Sequence, residues 1–428
     1  MDTIFALASA QGKAGVSVIR ISGPQAFAAG RSLCGTLPPV RQAGLRLLKD
    51  AAGTRIDEAL VLCFAEGASF TGEDVVELQV HGSVAVVRKV LADLGQMEDV
   101  RLAEAGEFTR RAFENECLDL AQTEGLADLI DAETEAQRRQ ALRVLSGDLG
   151  KLVATWREDL VRAAALLEAV IDFADEEVPV DVSPEVNDLL ARVEESISRQ
   201  VAGVAVSERI RSGFEVAIVG KPNVGKSTLL NALAGRAAAI TSEIAGTTRD
   251  VIEVRMDLRG LPVTLLDTAG LRETEDQIEA LGVALARGRA EAADLRVFLL
   301  APGDQPELEV CPGDVLAYSK ADLHQVGEFS ISAKSGEGLD HLVDRIASVL
   351  TERSAEAGLA THLRHRQGME RALAHLSVSK DWVRNGPDGY DIAAEELRIA
   401  IRALGSLLGK VDVEDLLDEI FSRFCVGK

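Results

Sequence analysis

Phe214-Glu215-Val216-Ala217-Ile218-Val219-Gly220-Lys221-Pro222-Asn223-Val224-Gly225-Lys226-Ser227 decides the fold of the middle of this chain. The first six residues read as a buried strand. Gly220 to Ser227 fits G-x-x-x-x-G-K-[ST], and the run from Ser227 to Leu233 opens a helix that Gly235 stops. A strand, a glycine loop and a helix start, in that order, form a phosphate cradle. Backbone N–H groups close around the β-phosphate, and the helix N-terminus favours an anion. Lys226 then reaches the β- and γ-phosphates, and the Ser227 hydroxyl faces Mg²⁺.

Downstream motifs say which base is held. Asp267-Thr268-Ala269-Gly270 ends a second apolar strand, Val263 to Leu266. Asp267 is placed to hold Mg²⁺ through water, and the Gly270 N–H can sense the γ-phosphate. Gly246-Thr247-Thr248-Arg249-Asp250 lies between, where a switch threonine would coordinate Mg²⁺. Ser319-Lys320-Ala321-Asp322 follows a third strand, and the Asp322 carboxylate can accept from guanine N1–H and N2–H₂. Ser332-Ala333-Lys334 follows a fourth strand and suits the guanine O6. The set resembles the G domain of translation-factor-like GTPases. Ser319 stands where asparagine is usual; fewer hydrogen bonds predict weaker nucleotide binding, with guanine selectivity kept by Asp322.

Leu271 follows the Asp-x-x-Gly motif, where many small GTPases carry a water-orienting glutamine. Another acid must do that work, and Arg272 to Glu279 offers Glu273, Glu275, Asp276 and Glu279. In GTPases with both the P-loop asparagine and the Gly-Thr-Thr-Arg-Asp loop, the asparagine and loop carbonyls hold K⁺. Asn223 has that place here. The cation supplies the charge of an arginine finger, and pairing of two G domains completes the site.

The whole chain has 428 residues, roughly three domains' worth. Its 47% hydrophobic and 27% charged residues are those of a folded protein, which rules out disorder over most of its length. No run approaches a membrane span, and Met1-Asp2-Thr3 has no basic leader, so a cytoplasmic protein is expected. Cys34, Cys63, Cys117, Cys311 and Cys425 are scattered and form no CxxC pair. A net charge of −23, from 46 basic and 69 acidic residues, argues against sequence-blind coating of nucleic acid. A local basic patch remains open to RNA: Arg353, His362, Arg364, His365, Arg366 and Arg371, with Arg138, Arg139 and Arg143 as weaker candidates.

Periodicity divides the chain. Short β-like runs (Val16–Ile21, Ala59–Phe64, Val75–Val80) fill residues 1–115. Residues 116–210 are helical, with Leu142, Leu145, Leu149, Val153, Trp156, Leu160 and Leu167 making one face of a long helix or helix pair. Ser183-Pro184 reads as a cap and a first-turn proline. Residues 211–350 alternate strand and helix, as in a mainly parallel sheet. Residues 351–428 are helical again. The expected architecture is multidomain: a β-rich N-terminal domain, a helical domain, and a P-loop α/β G domain inserted into the helical one.

Other segments make the chain similar, over nearly its whole length, to the MnmE (TrmE) family of tRNA modification GTPases. They are Gly15-Val16 to Ile21-Ser22-Gly23, Gly72-Glu73-Asp74, Ala105-Gly106-Glu107-Phe108-Thr109, Leu118-Asp119-Leu120-Ala121-Gln122, Asp128-Leu129-Ile130-Asp131-Ala132, Ile171-Asp172-Phe173, Asp175-Glu176-Glu177, Ala245 to Asp250, and Phe424-Cys425-Val426-Gly427-Lys428. The resemblance implies an N-terminal domain that binds 5-formyltetrahydrofolate or a related tetrahydrofolate and forms a homodimer. It implies an FAD-containing partner, MnmG (GidA), in a heterotetramer or larger complex. Together they would place a carboxymethylaminomethyl-type group on C5 of the wobble uridine of certain tRNAs, with K⁺-dependent GTP hydrolysis.

By the same resemblance, Asn223, Val224, Gly225, Lys226, Ser227 and Thr228 contact the nucleotide. So do Ser242, Glu243, Ile244, Ala245, Gly246, Thr247 and Thr248; Asp267, Thr268, Ala269 and Gly270; and Ser319, Lys320, Ala321, Asp322, Ser332, Ala333 and Lys334. Ser227 and Thr248 fall on the Mg²⁺ ligands, and Asn223, Ser242, Ile244 and Thr247 on the K⁺ ligands. Glu279 falls on the water-orienting glutamate. Arg20, Glu77 and Lys428 fall on folate positions; Cys117 stands where the family has lysine, and Arg110 or Arg111 could compensate. Cys425 falls on a catalytic or substrate-adjacent cysteine, and Arg423 and Lys428 could lower its pKa. Two other readings remain at this stage: a GTPase assembly factor, which has no use for the folate positions or Cys425, and a folate-dependent one-carbon transferase whose G domain only regulates.

Overall fold

The structure is a computed structural model that describes residues 2–172, 181–236, 253–267, 288–306, 308–323, 329–409, 417, 420–422, 424, 426 and 427. Two compact units emerge, residues 1–127 with 405–428, and residues 128–404. This division runs across the four-part reading of the sequence: the tail goes with the N-terminal sheet.

The first unit contains β1 (Thr3–Leu7), β2 (Ala14–Ser22), α1 (Ala26–Cys34), β3 (Gly44–Lys49), β4 (Arg55–Phe64), β5 (Val75–Gly82), α2 (Val84–Leu94), β6 (Val100–Leu102), α3 (Glu107–Glu114) and most of α4 (Leu120–Ile130). Its strands lie in the order β3-β4-β5-β2-β1-β6, antiparallel except for the parallel β1–β6 edge. Period-two alternation sets the faces. Ile19, Ile21, Val76, Leu78 and Val80 point into a core shared with Val87, Val90 and Leu94 of α2. Ile4 and Ala6 of β1 point the other way, against Phe108 of α3. Alternation also leaves Arg20 and Glu77 directly paired on neighbouring strands.

The tail closes this unit. Val426 bridges to Ala105, and Phe421 is buried beside Phe113 and Phe424. Gly106, at φ +69°, passes so close that a Cβ there would sit 2.3 Å from the Phe421 carbonyl oxygen. Gly106→Ala therefore combines a left-handed backbone penalty with a backbone clash. A loss of about 2–4 kcal/mol is expected, read as a lower urea midpoint for this unit.

The second unit contains α5 (Glu135–Leu145), α6 (Asp148–Asp172), α7 (Ser183–Ser212), β7 (Phe214–Val219), α8 (Lys226–Arg236), β8 (Glu253–Leu258), β9 (Leu261–Asp267), β10 (Leu295–Leu300), β11 (Val315–Tyr318), α9 (Leu339–Ser354), α10 (Leu363–Arg384) and α11 (Tyr390–Gly405). The sheet order is β11-β10-β7-β9-β8, parallel except for the β8–β9 hairpin. Arg259 (φ 57°) and Gly260 (φ 86°) make its turn. The parallel strands are covered on both faces, which is why β9 and β10 are buried at every residue. The mixed α/β reading of both sheets holds.

One local alternative is decided and two expectations change. The apolar stripe Leu142–Leu167 belongs to a helix pair, because the chain turns at Ser146-Gly147 (φ +80° at Gly147) between α5 and α6. Ser183 is the first residue of α7 rather than its cap, since Asp181 Oδ1 accepts both its N–H at 3.0 Å and its hydroxyl at 2.6 Å. The strand expected before Ser332 is, among the described residues, a single bridge between Tyr318 and Ser330.

α6 and α10 pack along α7, whose end leads into β7. The return segment is gripped by the same helix. Gln200 Oε1 accepts from Leu359 N–H at 2.8 Å, the Ser207 hydroxyl donates to Gly358 at 3.1 Å, and Gly203 admits the Gly358 backbone at a distance no side chain would allow.

Candidate nucleotide site

Parallel strands end in loops on one side of their sheet, and ligands collect there. β7 runs into the glycine loop and α8 begins at Lys226. The loop turns sharply at Asn223 (φ 61°) and Gly225 (φ 112°). Lys226 is 7% exposed, and its ammonium is held inside the loop by the carbonyls of Gly220 (2.5 Å) and Lys221 (3.1 Å). Across the loop Lys221 pairs with Asp304 at 2.6 Å, and its ammonium holds that carboxyl below the usual range.

Ser227 Oγ donates to Asp267 Oδ2 at 2.7 Å. These are the two described residues expected around Mg²⁺, and they come from different elements: the start of α8 and the end of β9. Asp267 is 3% exposed. This short, part-buried hydroxyl–carboxylate pair beside the phosphate loop presents oxygen donors of the kind a hard divalent cation takes.

The residues expected to hold the base surround a cavity of about 290 Å³. Its walls include Ser319, Lys320, Asp322, Ser332, Ala333 and Lys334, all expected, together with Val224, Gly225 and Thr228. Leu299 and Leu323 were not foreseen; they add apolar surface, and no motif marks them. The loop after β11 is fixed by Ser319 N–H to Leu300 O at 2.8 Å and Ala321 N–H to Ile331 O at 3.0 Å. The Ser332 hydroxyl donates to Asp322 Oδ1 at 2.8 Å and so orients the carboxylate. Ser319 is 5% exposed, and its Oγ has no hydrogen-bond partner among the described residues. That leaves an unused hydroxyl in the cavity wall.

In the first unit Arg20 and Glu77 form an ion pair at 2.9 Å. The Arg20 guanidinium lies over Phe70 (5.4 Å) and Phe108 (5.8 Å). Cys117 is exposed and beside Gly72. Arg111 cannot replace the missing lysine: it is 5% exposed and is bound by Asp2, Glu73 and Glu107. Burial alone would raise the Glu107 pKa, but Arg101, the Glu104 N–H and Arg111 outweigh it and hold that carboxyl low. Arg110 stacks on Phe421 at 5.1 Å.

Several members of the basic cluster have partners within the fold. His365 is fully buried, and its Nδ1 accepts from the Thr361 and His362 N–H groups. His362 Nε2 meets Asp128, Arg366 pairs with Glu370, and Arg138 and Arg139 both bind Glu135. Ser242, Glu243, Ile244, Ala245, Gly246, Thr247, Thr248, Thr268, Ala269, Gly270, Glu279, Arg423, Cys425 and Lys428 lie outside the described residues, as do Glu273, Glu275 and Asp276.

Comparison with known proteins covers both units. The family model described as GTP-binding protein TrmE N-terminus matches residues 3–117, and the MnmE helical domain matches residues 120–425. The chain is 61% identical over 428 residues to tRNA modification GTPase MnmE of Roseobacter denitrificans, covering 100% of both chains. It is 62% identical to the protein of that name from Ruegeria pomeroyi, again over 100% of both. Among solved structures, 32% of the chain is similar to 98% of the G domain of the T. maritima FeoB iron transporter, at 24% identity and a TM-score of 0.24.

Proposed function

Because this chain belongs to the family of the tRNA modification GTPase MnmE, we propose that it hydrolyses GTP in a K⁺-dependent reaction coupled to wobble-uridine modification. With an FAD-containing MnmG (GidA) partner it adds a carboxymethylaminomethyl-type group at C5, using a tetrahydrofolate one-carbon unit. It works as a homodimer on tRNA in the cytoplasm. No helix among the described residues is long and apolar enough to cross a membrane.

The observation that carries this reading is the Ser227–Asp267 pair at 2.7 Å beside the Lys226 loop and the Asp322 cavity. Ser227 and Thr248 would hold Mg²⁺, which neutralises charge on the transferring phosphoryl group. Asn223, Ser242, Ile244 and Thr247 would hold K⁺. Glu279 orients the attacking water, the role Leu271 cannot fill. Lys226 stabilises the β- and γ-oxygens, and Asp322 with Ser332–Lys334 fixes the base. In the N-terminal unit, the carboxylate of Glu77 suits the N–H donors of a pterin. Arg20 and Lys428 suit its glutamate tail, and Phe70 and Phe108 offer flat apolar faces. Cys117 removes one folate contact, and Cys425 takes the substrate-adjacent position.

Wobble nucleosides in tRNA from cells lacking the chain test the reading. Mass spectrometry is expected to show loss of an aminomethyl-type uridine, restored by the wild type and not by Asp267→Ala. Unchanged wobble uridines would exclude it. Purified protein is expected to hydrolyse GTP faster in K⁺ than in Na⁺, on the order of 10²-fold, the size of one electrostatic contribution to a transition state. Equal rates in the two salts would remove the K⁺ assignment and leave the nucleotide site intact.

A further inference from the structure

In the run β7-β9-β8 the strand that ends in Asp267 lies in the middle. Glu215 of β7 is the register partner of Thr264, and Glu253 of β8 is the partner of Leu266. Side chains alternate along a strand, so Thr264 and Leu266 share a face. The two carboxylates therefore stand on one face of the sheet, one on each side of β9. Arg289, in the helical stretch 288–292, reaches both. Its Nη2 donates to Glu215 Oε1 at 2.8 Å and its Nη1 donates to Glu253 Oε1. The next residue, Ala290, is buried against Ala217, Val219 and Phe298. The chain just beyond the stretch is fixed as well. Asp294 Oδ2 accepts the Glu215 N–H at 2.8 Å, and Asp294 Oδ1 meets the Arg209 guanidinium of α7 at 2.9 Å.

Two carboxylates on one face, with a single strand between them, repel each other. A planar fork with separate nitrogens satisfies both at once, which one ammonium does less well. The place of these residues in the sequence gives the clasp its use. Glu253 opens β8 shortly after Thr248, and Arg289 follows Glu279. Resting on the roles given above to Thr248 and Glu279, we propose that Arg289 is a positioning residue for GTP hydrolysis. It ties the point where the chain returns from Glu279 to the point where it returns from Thr248, across the strand that ends in Asp267. Arg289 is not among the walls of the base cavity. It acts through Glu279 and Thr248, and so on the transition state, where a small misplacement of a catalytic group is felt most. Nucleotide affinity depends on the Lys226 loop and the Asp322 cavity, which lie on other elements.

Steady-state GTP hydrolysis by the full chain tests this. Arg289→Ala is expected to lower kcat about tenfold, the effect of ~1.4 kcal/mol. KM and GDP affinity are expected to stay within about twofold, the split of an interaction felt only in the transition state. The thermal midpoint is expected to be unchanged. Arg289→Lys, which keeps a cation for one carboxylate at a time, is expected to recover part of the loss. Glu253→Gln cuts the same link from its other side, so combined with Arg289→Ala it is expected to slow hydrolysis no further. Losses that add in the double variant would overturn the proposal. So would a kcat within about twofold of wild type, or a parallel fall in GDP affinity and thermal midpoint, the mark of a merely structural role. Glu279→Gln is measured beside these variants. Near-normal turnover there removes the water-orienting role and the positioning role with it. An inactive Glu279→Gln beside a normal Arg289→Ala removes the positioning role alone.

Discussion

Asp322→Asn is expected to reverse the base preference of this protein from GTP to xanthosine triphosphate. A carboxylate can only accept hydrogen bonds, and guanine presents two donors on one edge, N1–H and N2–H₂. Xanthine keeps N1–H but has an oxygen at C2, which needs a donor; an asparagine amide supplies one acceptor and one donor. The Ser332 hydroxyl fixes the orientation of the group at 2.8 Å, so the amide enters a pre-set geometry. GTP loses the N2–H₂ bond outright and keeps only a neutral bond from N1–H; with a charge-assisted bond at about 1.5–3 kcal/mol, the loss is on the order of 10–10³ in affinity. Competition between the two nucleotides against a fluorescent guanine nucleotide measures this. An unchanged preference for GTP would show that the cavity around Ser319 does not hold the base.

Lys226→Ala is expected to lower kcat/KM for GTP by at least about 10³, some 4 kcal/mol. The ammonium sits 7% exposed in a loop whose carbonyls hold it at 2.5 and 3.1 Å. A triphosphate entering the loop brings the largest negative charge in the site next to the only side-chain cation of the G-x-x-x-x-G-K-S turn itself that lies buried. Removing one partner of a desolvated charge pair costs about 2–5 kcal/mol. Lys226→Arg is expected not to rescue, since a planar guanidinium is not a point charge and does not fit a pocket shaped for one. Unaltered circular dichroism and thermal midpoint separate this from unfolding. Turnover within tenfold of wild type would remove Lys226 from the phosphate site.

What could be read in advance follows sequence distance. The phosphate loop was legible because its chemistry is local: strand, turn and helix start lie within Phe214 to Leu233. Asp267 could be placed because it ends an apolar strand and Asp322 because it lies in the loop just after one, and strand ends converge in a parallel sheet. Leu299 and Leu323 in the base cavity were not legible, since an apolar residue beside a strand carries no mark of its ligand. The basic cluster is legible as charge but not as pairing. Arg366 and Glu370, or Arg138 and Glu135, are helix neighbours whose charges cancel on folding, and His365 turns inward. The return of Phe421 and Val426 to Ala105 and Gly106 left no periodic signal, because it joins segments separated by the whole of the second unit.

That return has a consequence for the order of synthesis. The six-stranded sheet emerges from the ribosome early, yet the surface over Ala105, Phe113 and Leu7 is completed only by residues near 421–427. Residues 128–404 must be translated in between, which at roughly 5–20 residues per second takes on the order of tens of seconds. Throughout that time the nascent N-terminal unit displays the apolar seat of Phe421, a surface suited to chaperone capture. Ribosomes stalled within the second unit would therefore carry a protease-sensitive first unit, and translation of the last turn would protect it.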